Sequence, residues 1–145
     1  KVMELNVKSL FFLTQKFAPL LRASATAEQP AKVINMASVD GIHNARPETY
    51  SYSASKAAVI HLTRRMAKRL VEEHIHVNAI APGAFASNMN VWARDNPEEV
   101  TQRIPARRIG RPDDMAGTAI FISSRAGDYL VGITIPVDGG VAFAN

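Results

Sequence analysis

The chain has 145 residues, enough for one domain with a sizeable core. Its 47% hydrophobic and 21% charged residues are ordinary for a globular protein, and no apolar run reaches the length of a bilayer span. There is no cysteine, which excludes disulfides, a thiolate nucleophile and thiolate metal sites and suits a reducing compartment; the formal charge is a mild +4.

Residues 4–22 place Leu5, Leu10, Phe11, Leu13, Phe17 and Leu21 at helical spacing, which predicts a helix packed on a broad face. Pro19 should end or kink it near its last turn. The chain enters this helix without a lead-in and reads as a piece of something longer. After a polar connector, residues 32–37 (KVINMA) are short and apolar, as in a buried strand. Residues 38–49 form a loop punctuated by Gly41, Asn44 and Pro47. A long helix follows over 51–73, with Ala54, Ala58, Leu62, Met66 and Leu70 as its inward stripe. Residues 76–81 (HVNAIA) predict a second buried strand, stopped by Pro82-Gly83.

Residues 84–105 carry helical hints at 88–94 and 97–103 and form a semi-independent flap bracketed by Pro82 and Pro105. Pro112 suits a first helical position, and Asp113 and Asp114 favour the positive end of a helix running to about Ser123. A turn at 127–132 leads to a last strand at 134–137, closed by Asp138-Gly139-Gly140. Strands separated by helices of this length imply right-handed crossovers, hence an α/β fold with a largely parallel sheet flanked by helices. Three strands make a small sheet, which again suggests that further strands belong to other sequence. Ligands in such sheets bind beyond the carboxyl ends of the strands. Ser38 and Pro82-Gly83 fall there, and Tyr52 and Lys56 return to the same rim from the start of the long helix.

Tyr52 and Lys56 lie four residues apart, on one helix face. An ammonium near a phenol favours the phenolate, which equips a tyrosine for general acid or base work. A serine hydroxyl alongside, Ser38, would hold the oxygen being protonated. Each residue has a plainer reading: Ser38 as a strand-end turn serine, Asn6 as a helix polar residue, Trp92 as flap packing. Tyr50 lacks a lysine four residues on, since Ala54 stands there. The four histidines show no metal-ligand spacing. Arg103, Arg107, Arg108 and Arg111 form a basic cluster beside the flap that would steer an acidic partner, unless Glu98, Glu99, Asp113 and Asp114 balance it. No basic tract with interleaved aromatics points to nucleic acid.

Taken together these residues resemble the C-terminal half or more of a short-chain dehydrogenase/reductase. Asn6 in ELNVKS is similar to the family's asparagine before the serine strand, and Ser38 in INMAS to its catalytic serine. Tyr52 and Lys56 in YSASK match the tyrosine-x-x-x-lysine signature. Pro82-Gly83, with Phe85 and Ser87 after it, resembles the turn that meets the nicotinamide; Ser87 stands where the family usually has threonine. The VDGG at 137–140 is similar to the family's last strand and turn.

The resemblance implies a Rossmann-like doubly wound sheet and an oxidoreductase moving hydride between NAD(P)(H) and a ketone or secondary alcohol. It implies catalytic roles for Asn6, Ser38, Tyr52 and Lys56, and cofactor contacts from Tyr52, Lys56, Pro82, Gly83, Phe85 and Ser87, with no metal. Asn6 would hold a water linking Lys56 to solvent. Phe85, Met89, Val91 and Trp92 would line the flap over the substrate. The closest likeness is to 3-oxoacyl-(acyl-carrier-protein) reductases, including the rhamnolipid-synthesis branch. Sugar, polyol or steroid dehydrogenation is the alternative, and a non-catalytic dimerising module a third reading. The implied cofactor is NADP or NAD, with NADP favoured, and the implied setting a cytoplasmic dimer or tetramer.

The family's glycine-rich loop, its selector residue and its asparagine-asparagine-alanine-glycine turn have no counterpart in these residues. Residues 1–145 are therefore expected to form a single partial domain, the catalytic half of an NAD(P)-binding domain, with little cofactor binding or turnover alone.

Overall fold

The computed structural model describes residues 1–43, 48–88 and 90–144. Asn44, Pro47 and Met89, invoked above for the loop and the flap, lie outside them. Three strands, β1 (Ala31–Met36), β2 (Ile75–Pro82) and β3 (Thr134–Val137), form a sheet of order β1-β2-β3 that is parallel throughout. In register, Ala31 lies beside Ile75 and Met36 beside Ile80, while Ala79 lies beside Thr134.

Alternation along β2 sends Ile75, Val77, Ala79 and Ala81 to one face. Two helices cover that face: α1 (Ser9–Ser24), which follows a π-helical turn at Glu4–Lys8, and α2 (Tyr50–Leu70), which ends in a 3₁₀ turn at Val71–Glu73. The core there has two parts. Val59, Ile60, Ala37, Ala79 and Ala81 pack towards the carboxyl end of the sheet, and Met66, Ala67, Ile75 and Val77 towards the other. The segment after β2 holds two short helices, α3 (Val91–Asp95) and α4 (Pro97–Gln102), around a small core of Ala93, Val100 and Ile104. Helix α5 (Pro112–Ser123) then contacts all three strands and leads into β3. Helices thus cover both faces, as expected.

Several boundaries and faces differ from the sequence reading. The inward stripe of α2 is Ser55, Val59, Ile60, Thr63, Met66 and Ala67, not the line from Ala54 to Leu70; Ala54 is exposed and Ala58, Leu62 and Leu70 are half-buried. Hydropathy misplaced it because two of the buried positions are hydroxyl residues, whose protons are satisfied by carbonyls of their own helix. In α1 the buried residues are Thr14 and Ala18, while Phe11, Leu13 and Phe17, and Leu5 in the turn before it, are exposed. The helix also continues past Pro19 to Ser24. Exposed Leu13, Phe17 and Leu20 line a groove with Val33 beside the outer edge of β1, which pairs with no other strand among the described residues.

Candidate active site

Ser38 begins the 3₁₀ turn Val39–Gly41 directly after β1 and is buried, at 7% exposure. Its Oγ accepts the Asp40 N–H at 3.2 Å. An accepting hydroxyl still has its own proton to donate. The turn closes with Gly41 N–H on the Ser38 carbonyl at 3.0 Å and Ile42 N–H on Val39 at 2.8 Å. It is seated directly on α2: a Cβ on Gly41 would stand 2.6 Å from the Lys56 carbonyl carbon and 2.7 Å from the Ala57 nitrogen. Only glycine permits that approach, and it brings the Ser38 turn against the helix turn that carries Lys56.

Tyr52 and Lys56 occupy the first two turns of α2. The Lys56 ammonium lies 5.6 Å from the Tyr52 ring centroid, within range of a cation–π contact. It donates to the Met36 carbonyl at 2.8 Å, the last residue of β1. Partial burial pushes the Lys56 ammonium below the ordinary lysine value. An ammonium has three donors, so two N–H groups remain beyond the bond to Met36. Asn6 lies within the π-helical turn, and its amide donates to Ser55 Oγ at 2.9 Å. Ser55 in turn donates to the Tyr52 carbonyl at 2.7 Å. Asn6 therefore reaches the first turn of α2 through Ser55.

Pro82 ends β2, and Gly83 donates to the Val137 carbonyl at 2.9 Å. A Cβ on Gly83 would stand 2.7 Å from both Cα and Cβ of Asp138, so the ends of β2 and β3 touch. Asp138 holds the turn beyond β3 by accepting from Gly140 N at 2.9 Å and Ala142 N at 2.7 Å. The Phe85 ring packs over Gly110, and the two residues form a parallel bridge. Ser87 is exposed and its Oγ accepts from Asn90 N at 3.0 Å. Val91 and Trp92 are each 45% exposed, and the Arg103 guanidinium lies over the indole at 5.2 Å.

Ser38, Tyr52, Lys56 and Asn6 are thus joined through β1 and α2, while Pro82, Gly83, Phe85 and Ser87 follow the adjacent strand end. The basic cluster beside the flap is partly spent on internal pairs. Arg103 meets Glu99 at 2.6 Å, and Arg108 holds both Asp114 oxygens at 2.6 and 2.8 Å, keeping that carboxyl well below its usual range. Among the described residues, Glu99 and Asp114 are the acids of the four that make these pairs. No three His, Asp or Glu side chains among the described residues sit together as metal ligands would. Hydropathy had no signal for the Met36 carbonyl or the Gly41 seat. The glycine three residues after Ser38 was the one visible hint.

The chain thus presents a parallel sheet with a serine at one strand end and a tyrosine and a lysine on the next helix. Residues 1–142 match the family model described as enoyl-(acyl carrier protein) reductase. The chain is 49% identical over 143 residues to the Pseudomonas aeruginosa rhamnolipids biosynthesis 3-oxoacyl-(acyl-carrier-protein) reductase, covering 97% of this chain and 56% of that protein. It is 43% identical to a Dickeya dadantii 2-dehydro-3-deoxy-D-gluconate 5-dehydrogenase, over 96% of this chain and 54% of the relative. The Pseudomonas aeruginosa RhlG/NADP active-site complex superposes with a TM-score of 0.92 at 48% identity, over 97% of this chain and 56% of that one. The chain belongs to the short-chain dehydrogenase/reductase family, and it spans about half the length of the curated relatives it matches.

Proposed function

We propose that these residues are the catalytic half of an NADP-dependent oxidoreductase that reduces a 3-oxoacyl group to the 3-hydroxyacyl form. One observation carries this reading: the Lys56 ammonium, beside the Tyr52 ring, is tied to the β1 end from which Ser38 follows. The relative that is 49% identical supports the substrate class, and the NADP complex supports the cofactor.

Bound at this rim, a reduced nicotinamide would supply hydride to the substrate carbonyl carbon. The fit rests on groups already present: the remaining Lys56 N–H groups for ribose hydroxyls, and the Ser87 hydroxyl beside the Pro82-Gly83 turn and Phe85 for the nicotinamide end. Ser38 donates to the carbonyl oxygen, a bond that strengthens as negative charge develops there. Tyr52 gives its proton to that oxygen, and the Lys56 charge offsets the phenolate left behind. Asn6 acts through Ser55 on the Tyr52 turn. Val91 and Trp92 line the substrate side of the flap. The other half of the full-length protein would carry the dinucleotide phosphates.

A second reading keeps the chemistry and changes the ketone to that of a sugar acid, favoured by the relative that is 43% identical. Turnover of a carrier-linked 3-oxoacyl thioester against a free keto sugar acid separates the two. A cytoplasmic homo-oligomer accompanies either reading. No helix among the described residues is long and apolar enough to cross a membrane.

The central test is Tyr52→Phe in the full-length protein. Loss of general acid catalysis should lower kcat about 10²–10⁴-fold with NADP binding retained, followed by the absorbance of the reduced nicotinamide. Unchanged turnover would refute the mechanism.

A further inference from the structure

A second bond between β1 and α2 lies below the site and touches no part of it. The Asn35 amide donates to Thr63 Oγ1 at 2.9 Å, and Thr63 donates to the Val59 carbonyl at 2.8 Å. Asn35 is 4% exposed and Thr63 fully buried, between the two apolar clusters of the sheet face. An apolar pair of the same volume would pack there without the desolvation cost of an amide and a hydroxyl. What the polar pair adds is direction: it is satisfied in one relative placement of strand and helix and left unpaired in others.

That placement bears on the chemistry. Asn35 lies three residues before Ser38 on the same chain. Thr63 lies seven residues after Lys56 and eleven after Tyr52, close to whole numbers of helical turns, so each lies within about 20° of Thr63, on either side of it, along one stripe of α2. The neighbouring strand residue, Met36, takes the Lys56 ammonium. A slide or rotation of α2 against β1 would therefore break the Asn35–Thr63 bond and move Tyr52 and Lys56 relative to Ser38 together.

We infer that Asn35 and Thr63 are positioning residues that set the axial register of α2, and through it the spacing of Ser38, Tyr52 and Lys56. The inference rests on the proposed function for its effect on catalysis, but not for its effect on the Ser38 turn. The pair's contribution depends on a hydroxyl at 63 and an amide at 35, not on their volume.

The test uses the full-length protein and three variants. Thr63→Ser keeps the hydroxyl and should retain wild-type kcat. The double variant Asn35→Leu/Thr63→Val removes both members of the bond together. It should melt close to wild type yet lose about tenfold in kcat, with a displaced pH profile. Should the double variant fail to fold, Thr63→Cys, near in volume and a weak acceptor, should show the same fall. The backbone amides of Gly41 and Ile42 should exchange faster in either variant, a readout independent of turnover. Inactive wild-type protein would overturn the proposed function, and amide exchange would still decide the role of the pair. Wild-type kcat and pH profile, or wild-type exchange at Gly41 and Ile42, in whichever variant folds would overturn the inference.

Discussion

Asp40 shows what the Ser38 turn costs at the level of one residue. Its backbone N–H serves Ser38, while burial pushes its carboxyl above the ordinary carboxylate value, partly countered by the charge of His43. A carboxyl raised in this way holds its proton more tightly folded than unfolded. Its contribution to stability is present below the unfolded value and is lost as pH rises through the folded value. At neutral pH the half-buried carboxylate is a net cost. Asp40→Asn should raise the melting temperature at pH 7 by about 1–3 °C, and the gain should vanish as the pH falls towards 4. A lower melting temperature at pH 7 would count against this account. Arg107 raises a separate local matter: it holds φ at 55° without being glycine, and its guanidinium donates to the Gln102 carbonyl at 2.7 Å.

At the level of elements, the lead-in to β3 depends on one side chain from β2. Asn78 is fully buried; its amide donates to the Leu130 carbonyl at 2.8 Å and its Oδ1 accepts from Ile133 N at 3.0 Å. Asn78→Ala would leave a carbonyl and an N–H unpaired in the interior, at about 1–3 kcal/mol each. Urea unfolding should show a loss of about 2–6 kcal/mol with an unchanged m-value, and a midpoint equal to wild type would refute the staple. The strands themselves were legible to within one residue, because KVINMA and HVNAIA are too short and apolar for anything but a sheet interior. Helix α5 announced itself through Pro112 and the two aspartates of its first turn, one of which, Asp114, does accept from Arg111 N at 2.7 Å. The π-helical turn at Asn6 has no hydropathy signature, and the face of α2 was misread because two of its buried positions, Ser55 and Thr63, carry hydroxyls. The positions of Ser38 after a strand and of Tyr52 and Lys56 in the first turns of α2 were legible from spacing and order. Asn35, Met36 and Gly41 were not, since a buried amide, a main-chain carbonyl and a backbone close approach leave no periodic trace.

At the scale of the molecule, the corrected face of α2 turns Ser51, Ala54 and Ala57 outward, all exposed. Small residues there allow close approach by another helix, which supports the proposed homo-oligomer. The full-length protein should sediment as a dimer or tetramer at working concentration, and a monomer would refute that assembly. The remainder of the sheet is tied at its opposite end, where Lys32 of β1 reaches Asp128 at 2.7 Å across the last crossover. Sheet and long helices thus form one braced body, while α3 and α4 carry a separate small core.

That separation gives the flap its own optical signal. Trp92 is the chain's single tryptophan, and it lies on α3 under the Arg103 guanidinium rather than in the sheet. Indole emission, excited selectively over the three tyrosines, therefore reports the surroundings of α3 alone among these residues. Lifting Arg103 from the indole would shift and brighten or quench that emission while far-ultraviolet dichroism of the sheet stayed constant, so motion of the segment can be timed without attaching a label.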